Sequence, residues 1–162
     1  MKTLRPVTLA VTLLLVFAGP AAADETPWCD MANCAMCEPF MAHPGLMQNM
    51  SMEYHDISDG MIQVASVLPA QMAAYKEALA AMDATGKRLQ AGEKLPLCGM
   101  CQAFGTLMMS GAKEEFIPTN FGHVQMMHGS TPEMVDQIHA FAERTRTEMA
   151  KMAEAEKAAA GK

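Results

Sequence analysis

The constraint that bears hardest on this chain is internal: its second half restates its first. Cys34-Ala35-Met36-Cys37-Glu38-Pro39-Phe40 reads against Cys98-Gly99-Met100-Cys101-Gln102-Ala103-Phe104. Both cysteines, the methionine between them and the later phenylalanine coincide. Glu53-Tyr54 then matches Glu115-Phe116, Gly60-Met61-Ile62-Gln63-Val64 matches Gly122-His123-Val124-Gln125-Met126, and Pro69 matches Pro132. The offset moves only from 64 to 62 to 63, and the first change falls at His43-Pro44-Gly45, where the first copy is two residues longer. Matches in one order at nearly one spacing argue for a duplicated unit. The repeats are expected at 34–92 and 98–150, inside a single domain at 24–150, with a frayed helical tail at 151–162.

Each copy carries the same coarse pattern. A short helix starts at the Cys-x-x-Cys pair; in the second copy Ser110-Gly111 stops it. Strands follow at 52–57 and 61–67 around Ser58-Asp59-Gly60, a strong hairpin signal. The second hairpin, 115–119 and 123–128, is weaker because Pro118 interrupts its first strand. A long helix closes each copy. In the first, Met72, Tyr75, Leu79, Met82 and Leu89 share a face and Gly92 ends it. In the second, Ser130 or Thr131 caps, Pro132 sits in the first turn, and Val135, Ile138, Phe141, Ala142 and Met149 form the buried stripe. Two α-β-β-α units that each bury one hairpin face predict an α+β fold: an antiparallel sheet covered by helices, with pseudo-twofold symmetry.

The first 23 residues read as a signal peptide. Lys2 and Arg5 precede an apolar run at 7–17, Gly19-Pro20 breaks it, and Ala21-Ala22-Ala23 offers a cleavage site. The run is too short to span a bilayer, and no later segment is long and apolar enough. The mature chain is therefore expected to be periplasmic or secreted, without a stable membrane span. Losing Lys2 and Arg5 takes the net charge from −6 to −8. An acidic chain of this kind is a poor ligand for nucleic acid or anionic lipid. What the chain has in excess is sulfur: 5 Cys and 18 Met, of which only Met1 lies in the leader.

A Cys-x-x-Cys pair presents two thiolates from one turn, and two pairs supply the four sulfurs of a closed tetrahedral site. Equivalent elements of two repeats can meet at their symmetry axis, which would bring Cys34, Cys37, Cys98 and Cys101 around one thiophilic ion, zinc or copper(I). Helix N-termini also favour the thiolate. Two other readings compete. Exported cysteines form disulfides, although a bond within a pair closes too small a loop to stabilise much. The pairs could also cycle between dithiol and disulfide, but no thioredoxin-like β-α-β pattern surrounds them. A c-type haem is excluded, because Glu38 and Gln102 stand where its histidine would be.

Possible additional ligands are Met36 and Met100, repeated between the cysteines, His43 in the first copy's insertion, and Cys29, which has no counterpart in the second copy. Methionine clusters at Met41, Met47, Met50 and Met52 and at Met126-Met127-His128 would suit copper(I), but flexible core filling is the ordinary use of methionine. Met72, Met82 and Met149 are expected in the core. His55 and His123, beside the hairpin turns, are expected to be exposed, and His139 to lie at the surface. No Ser/His/Asp arrangement or phosphate-cradling loop argues for an enzyme. The leading expectation is an exported metal-binding protein, partnered by its ion and by another exported metal-handling or redox protein. The alternatives are a thiol–disulfide redox protein and a disulfide-linked interaction module.

Overall fold

The structure is a computed structural model that describes residues 26–161; the leader expected at 1–23 lies outside the described residues. The elements are α1 (Glu38–Met41), β1 (Met50–Ile57), β2 (Gly60–Val67), α2 (Met72–Gln90), α3 (Gly99–Met109), β3 (Lys113–Thr119), β4 (Gly122–His128) and α4 (Pro132–Ala160). Short 3₁₀ turns at Met47–Asn49 and Pro69–Gln71 lead into β1 and α2. The four strands form one antiparallel sheet in the order β1-β2-β4-β3. This is an α+β fold. Among the described residues no helix is long and apolar enough to cross a membrane.

The two hairpins join through their second strands. Gln63 pairs with Gln125, Gly60 with His128 and Ser66 with Gly122. An offset of 62 relates Gly60 to Gly122 and Ser66 to His128, so the pairing is unchanged when the two strands are exchanged. The flanking bonds obey the same exchange: Val67 N–H donates to the Phe121 carbonyl (2.7 Å) and Gly129 N–H to the Asp59 carbonyl (2.8 Å). At the ends of the seam only glycine fits. A Cβ on Gly60 would stand 1.9 Å from the Met127 carbonyl oxygen, and one on Gly122 would stand 2.0 Å from that of Ala65. The register is therefore twofold about the Gln63–Gln125 pair; common descent of the halves rests on the sequence alone.

All the helices lie on one side of this sheet. The strand residues inside the apolar clusters are Met50, Met52, Tyr54, Met61, Val67 and Met127, and the register places them all on one face. The larger cluster joins them to Trp28, Leu107, Met134, Ile138, Phe141 and Ala142, beneath α3 and α4. The smaller one joins Val67 to Leu46, Tyr75 and Ala78, beneath α2. A fully buried side chain of this size is worth about 1.5–3 kcal/mol, so these two clusters hold the helical layer down. Thr131 caps α4 by accepting from the Met134 N–H, at 3.2 Å, a bond worth about 1 kcal/mol.

Several expectations need correction. The first copy's helix is a single turn, α1, that begins after Cys37, whereas α3 runs for 11 residues. The inserted Pro44-Gly45, with Gly45 at φ 79°, turns the chain away before a second turn can form. Pro118 does not interrupt β3. It lies on an edge strand, where no neighbour requires its missing N–H. Met72 and Met149 pack half-buried against the two cores as expected, whereas Met82 joins neither; the fully buried methionines are Met61 and Met127. On α4, Met134 is buried and Val135 only half so. His123 is buried, and the apolar clusters hold His123's neighbour-but-three Met127 rather than Met126. Helix α4 continues to Ala160 and is exposed from Lys151 to Ala159.

Candidate metal centre

The two cysteine pairs are carried by different local structures that converge. Cys34 and Cys37 flank a tight turn: the Cys37 and Glu38 N–H groups both donate to the Cys34 carbonyl, at 2.9 and 2.8 Å. Cys98 is the extended N-cap residue of α3, and Cys101 lies in its first turn. The N–H after the first cysteine of each pair is tied to a proline carbonyl: Ala35 donates to Pro96 (2.9 Å) and Gly99 to Pro27 (3.0 Å). The first tie draws the first pair against the linker that enters the second. The second belongs to an N-terminal strap, where Met100 N–H also donates to the Trp28 carbonyl (3.0 Å). The strap thereby satisfies two of the donors that a helix start leaves unpaired.

Trp28 anchors the strap to α4. Its ring packs on Phe141 at a centroid distance of 5.8 Å, lies under the Arg144 guanidinium at 4.2 Å, and donates through Nε1–H to the Thr145 hydroxyl at 3.3 Å. Nothing in the sequence pattern singled out this role; the chain's one tryptophan, six residues before Cys34, was the available signal.

The result is a compact quartet. The Sγ atoms of Cys34, Cys37, Cys98 and Cys101 all lie within 4.8 Å of one another. Cys37 and Cys101 approach to 3.7 Å. All five cysteines are free thiols, so the disulfides of the competing reading are not formed. Cys34 and Cys98 are 1% exposed, Cys37 is 7% exposed and Cys101 half-buried. A tetrahedral zinc tetrathiolate with Zn–S bonds of about 2.3 Å has sulfur–sulfur edges of about 3.8 Å. The four cysteines thus lie where one ion could be held.

Their protonation is mutual. Hydrogen bonds from Cys101 and Cys37 hold the Cys98 thiol far below its ordinary range. Cys101 is pushed far up by its neighbours Cys37 and Cys98 and by burial. Cys37 is helped by a hydrogen bond with Cys101, but Cys98 and burial outweigh it and raise it. One thiolate is therefore stabilised by thiols that donate to it, and each further negative charge is opposed. Full deprotonation of such a quartet requires a cation at its centre.

The possible additional ligands divide. Met36 and Met100 pack against the quartet, together with Met31 and Leu97, and form an apolar wall around the sulfurs. Cys29 lies outside the quartet and packs into the main core; burial raises its thiol, as do the nearby Cys98 and Glu148. His43 lines a separate shallow cleft with Glu38, Ala42, Thr85 and Arg88. The methionine clusters are dispersed. Met50 and Met52 join different cores, Met41 is exposed, and Met126 and Met127 point to opposite faces of the sheet.

Comparison with protein-family models, with characterised proteins and with solved structures returned no match, so what this chain does has to be argued from the sulfur quartet itself.

Proposed function

We propose that this is an exported metal-binding protein that holds one thiophilic ion, zinc in preference to copper(I), through Cys34, Cys37, Cys98 and Cys101. The observation that carries the reading is the mutual approach of four free sulfurs within 4.8 Å. That spacing suits a single tetrahedral ion and is too close for the cysteines of a polynuclear iron–sulfur cluster. Four equivalent thiolates favour zinc over copper(I), because a tetrahedral all-sulfur set is the arrangement zinc adopts in closed structural sites. The thioethers of Met36 and Met100 serve as wall, not as ligands, in this reading. The leader at 1–23 supports export to the periplasm or beyond.

The redox alternative fits less well. A thiol–disulfide carrier needs an accessible attacking sulfur; the first pair offers none, with Cys34 1% and Cys37 7% exposed, and the partly exposed Cys101 of the second lies against Cys37 at 3.7 Å. Native mass spectrometry of the purified protein tests the proposal. The expected mass exceeds that of the chain by one metal ion less the displaced thiol protons. Elemental analysis identifies zinc, and replacing all four cysteines by serine abolishes the increment. A metal-free mass lower by two or four protons would overturn it in favour of disulfides, and metal retained by the four-serine protein would overturn the site.

A further inference from the structure

The sheet has a second face that no element among the described residues covers. Reading across the strands, its middle rows are Glu53–Val64–Val124–Ile117 and His55–Ile62–Met126–Glu115. The outer rows are Ser51–Ser66–Gly122–Thr119 and Ile57–Gly60–His128–Lys113. The centre is thus a block of Ile62, Val64, Val124 and Met126, extended by Ile57 and by Ile117, which is 45% exposed. None of these six side chains belongs to the apolar clusters beneath the helices. An antiparallel sheet that faces water carries polar residues on that side; this one has them at its rim and an apolar block at its centre.

We infer that the uncovered sheet face is where a second copy of this chain docks, face to face. The inference is independent of the metal reading, because the cysteines lie on the helix side, near Tyr54. Two features argue for a second copy as the occupant. The first is charge. Two sheets packed through a twofold axis can be related along the strands or across them. With the axis along the strands, Glu115 of each copy falls opposite the partner's His55; with the axis across them, Glu53 falls opposite it. The Val64, Ile62, Val124 and Met126 block meets itself in both cases. An otherwise acidic chain therefore meets its copy through an apolar centre with an imidazole set against a carboxylate.

The second is area. Four strands about 4.8 Å apart, each contributing four outward residues at about 6.8 Å spacing, cover roughly 500 Å² per copy. The total of about 1,000 Å² lies at the threshold for a specific interface. The expected assembly is therefore a reversible dimer, a β-sandwich with its two helical layers outermost.

Sedimentation equilibrium on the purified protein tests this. The expected mass rises from one copy to two with concentration. Val64→Glu should abolish the rise, and the milder Met126→Gln should weaken association about tenfold, each with the circular-dichroism spectrum and thiol count of the parent. A protein that stays monomeric up to about 1 mM overturns the inference, whatever else that face binds. So does a dimer that survives both substitutions.

Discussion

Enclosed by Tyr75 and Phe116, the ring of His123 has little room for a proton. Its Nδ1 is engaged by the Tyr75 hydroxyl, the Phe116 ring lies 4.5 Å away, and burial lowers its pKa below the ordinary 6.5. The sign follows from linkage. The unfolded chain binds this proton more readily, so the contribution of the neutral ring is complete above about pH 6.5 and is lost as pH falls from there through the lower folded value. We expect the urea midpoints of the parent and of His123→Gln to converge as pH falls below 6.5; a constant difference between pH 7.5 and 5 would contradict this. The seam glycines make a second prediction at this scale. Gly60→Ala places a methyl 1.9 Å from a backbone oxygen that cannot swing away, and about 3 kcal/mol or more should be lost in thermal or denaturant unfolding. The inward turn of His123 was not legible in the sequence for a definite reason. Both β2 and β4 are apolar at alternate positions of either parity, as Met61 beside Ile62 and Val124 beside Met127 show. Alternation alone could not say which set faces the helices.

Among the elements, the strap ahead of Cys34 does the most with the fewest residues. Trp28 ties it to α4, while the Pro27 and Trp28 carbonyls receive the first N–H groups of α3. Trp28→Ala should lower stability by about 3–5 kcal/mol. It should also loosen any ion held by the quartet, since Cys98 and Cys101 stand on the turn the strap secures; competition with a chromophoric chelator reads this directly. A second tie joins α4 to the edge of the sheet. Arg146 donates to both oxygens of Asp56, at 3.0 and 3.1 Å, and to the Tyr54 carbonyl at 3.2 Å. The hydrogen bond from Arg146 holds the Asp56 carboxyl below its ordinary value. What it contributes is present at neutral pH and lost as pH falls through that lowered value; the loss should be small, because the pair is partly exposed. The hairpins, α3 and the two long helices were legible from turn residues and period. The first helix was legible in its start but not in its length, because the Pro44-Gly45 insertion acts after the motif that suggested it, and Trp28 was missed because a strap has no period at all.

At the scale of the whole molecule, the quartet was legible because a sequence repeat makes a geometric claim: matching segments can meet, as β2 and β4 pair in the sheet. The packing of Cys29 and the exclusion of His43 depend on tertiary contacts that no spacing encodes. If the quartet holds its ion, removal by a strong chelator should lower the melting temperature well beyond the few degrees that surface changes cause, because the sulfurs are buried and metal binding is coupled to folding. An unchanged melting temperature in fully demetallated protein would oppose a structural ion.

The wide separation of the two pairs along the chain has a further consequence. Cys37 and Cys98 are 61 positions apart, with both strands of the first hairpin and all of α2 between them. Closing so long a loop is entropically unfavourable, so an ion gripping both ends would act as a clasp that shuts only once the first hairpin and α2 have folded back against α3. A nascent chain that ended before Leu97 would offer half a grip and release what it caught. Occupancy would then certify that synthesis and folding had reached α3, and a chain cut short before it would betray itself by arriving empty.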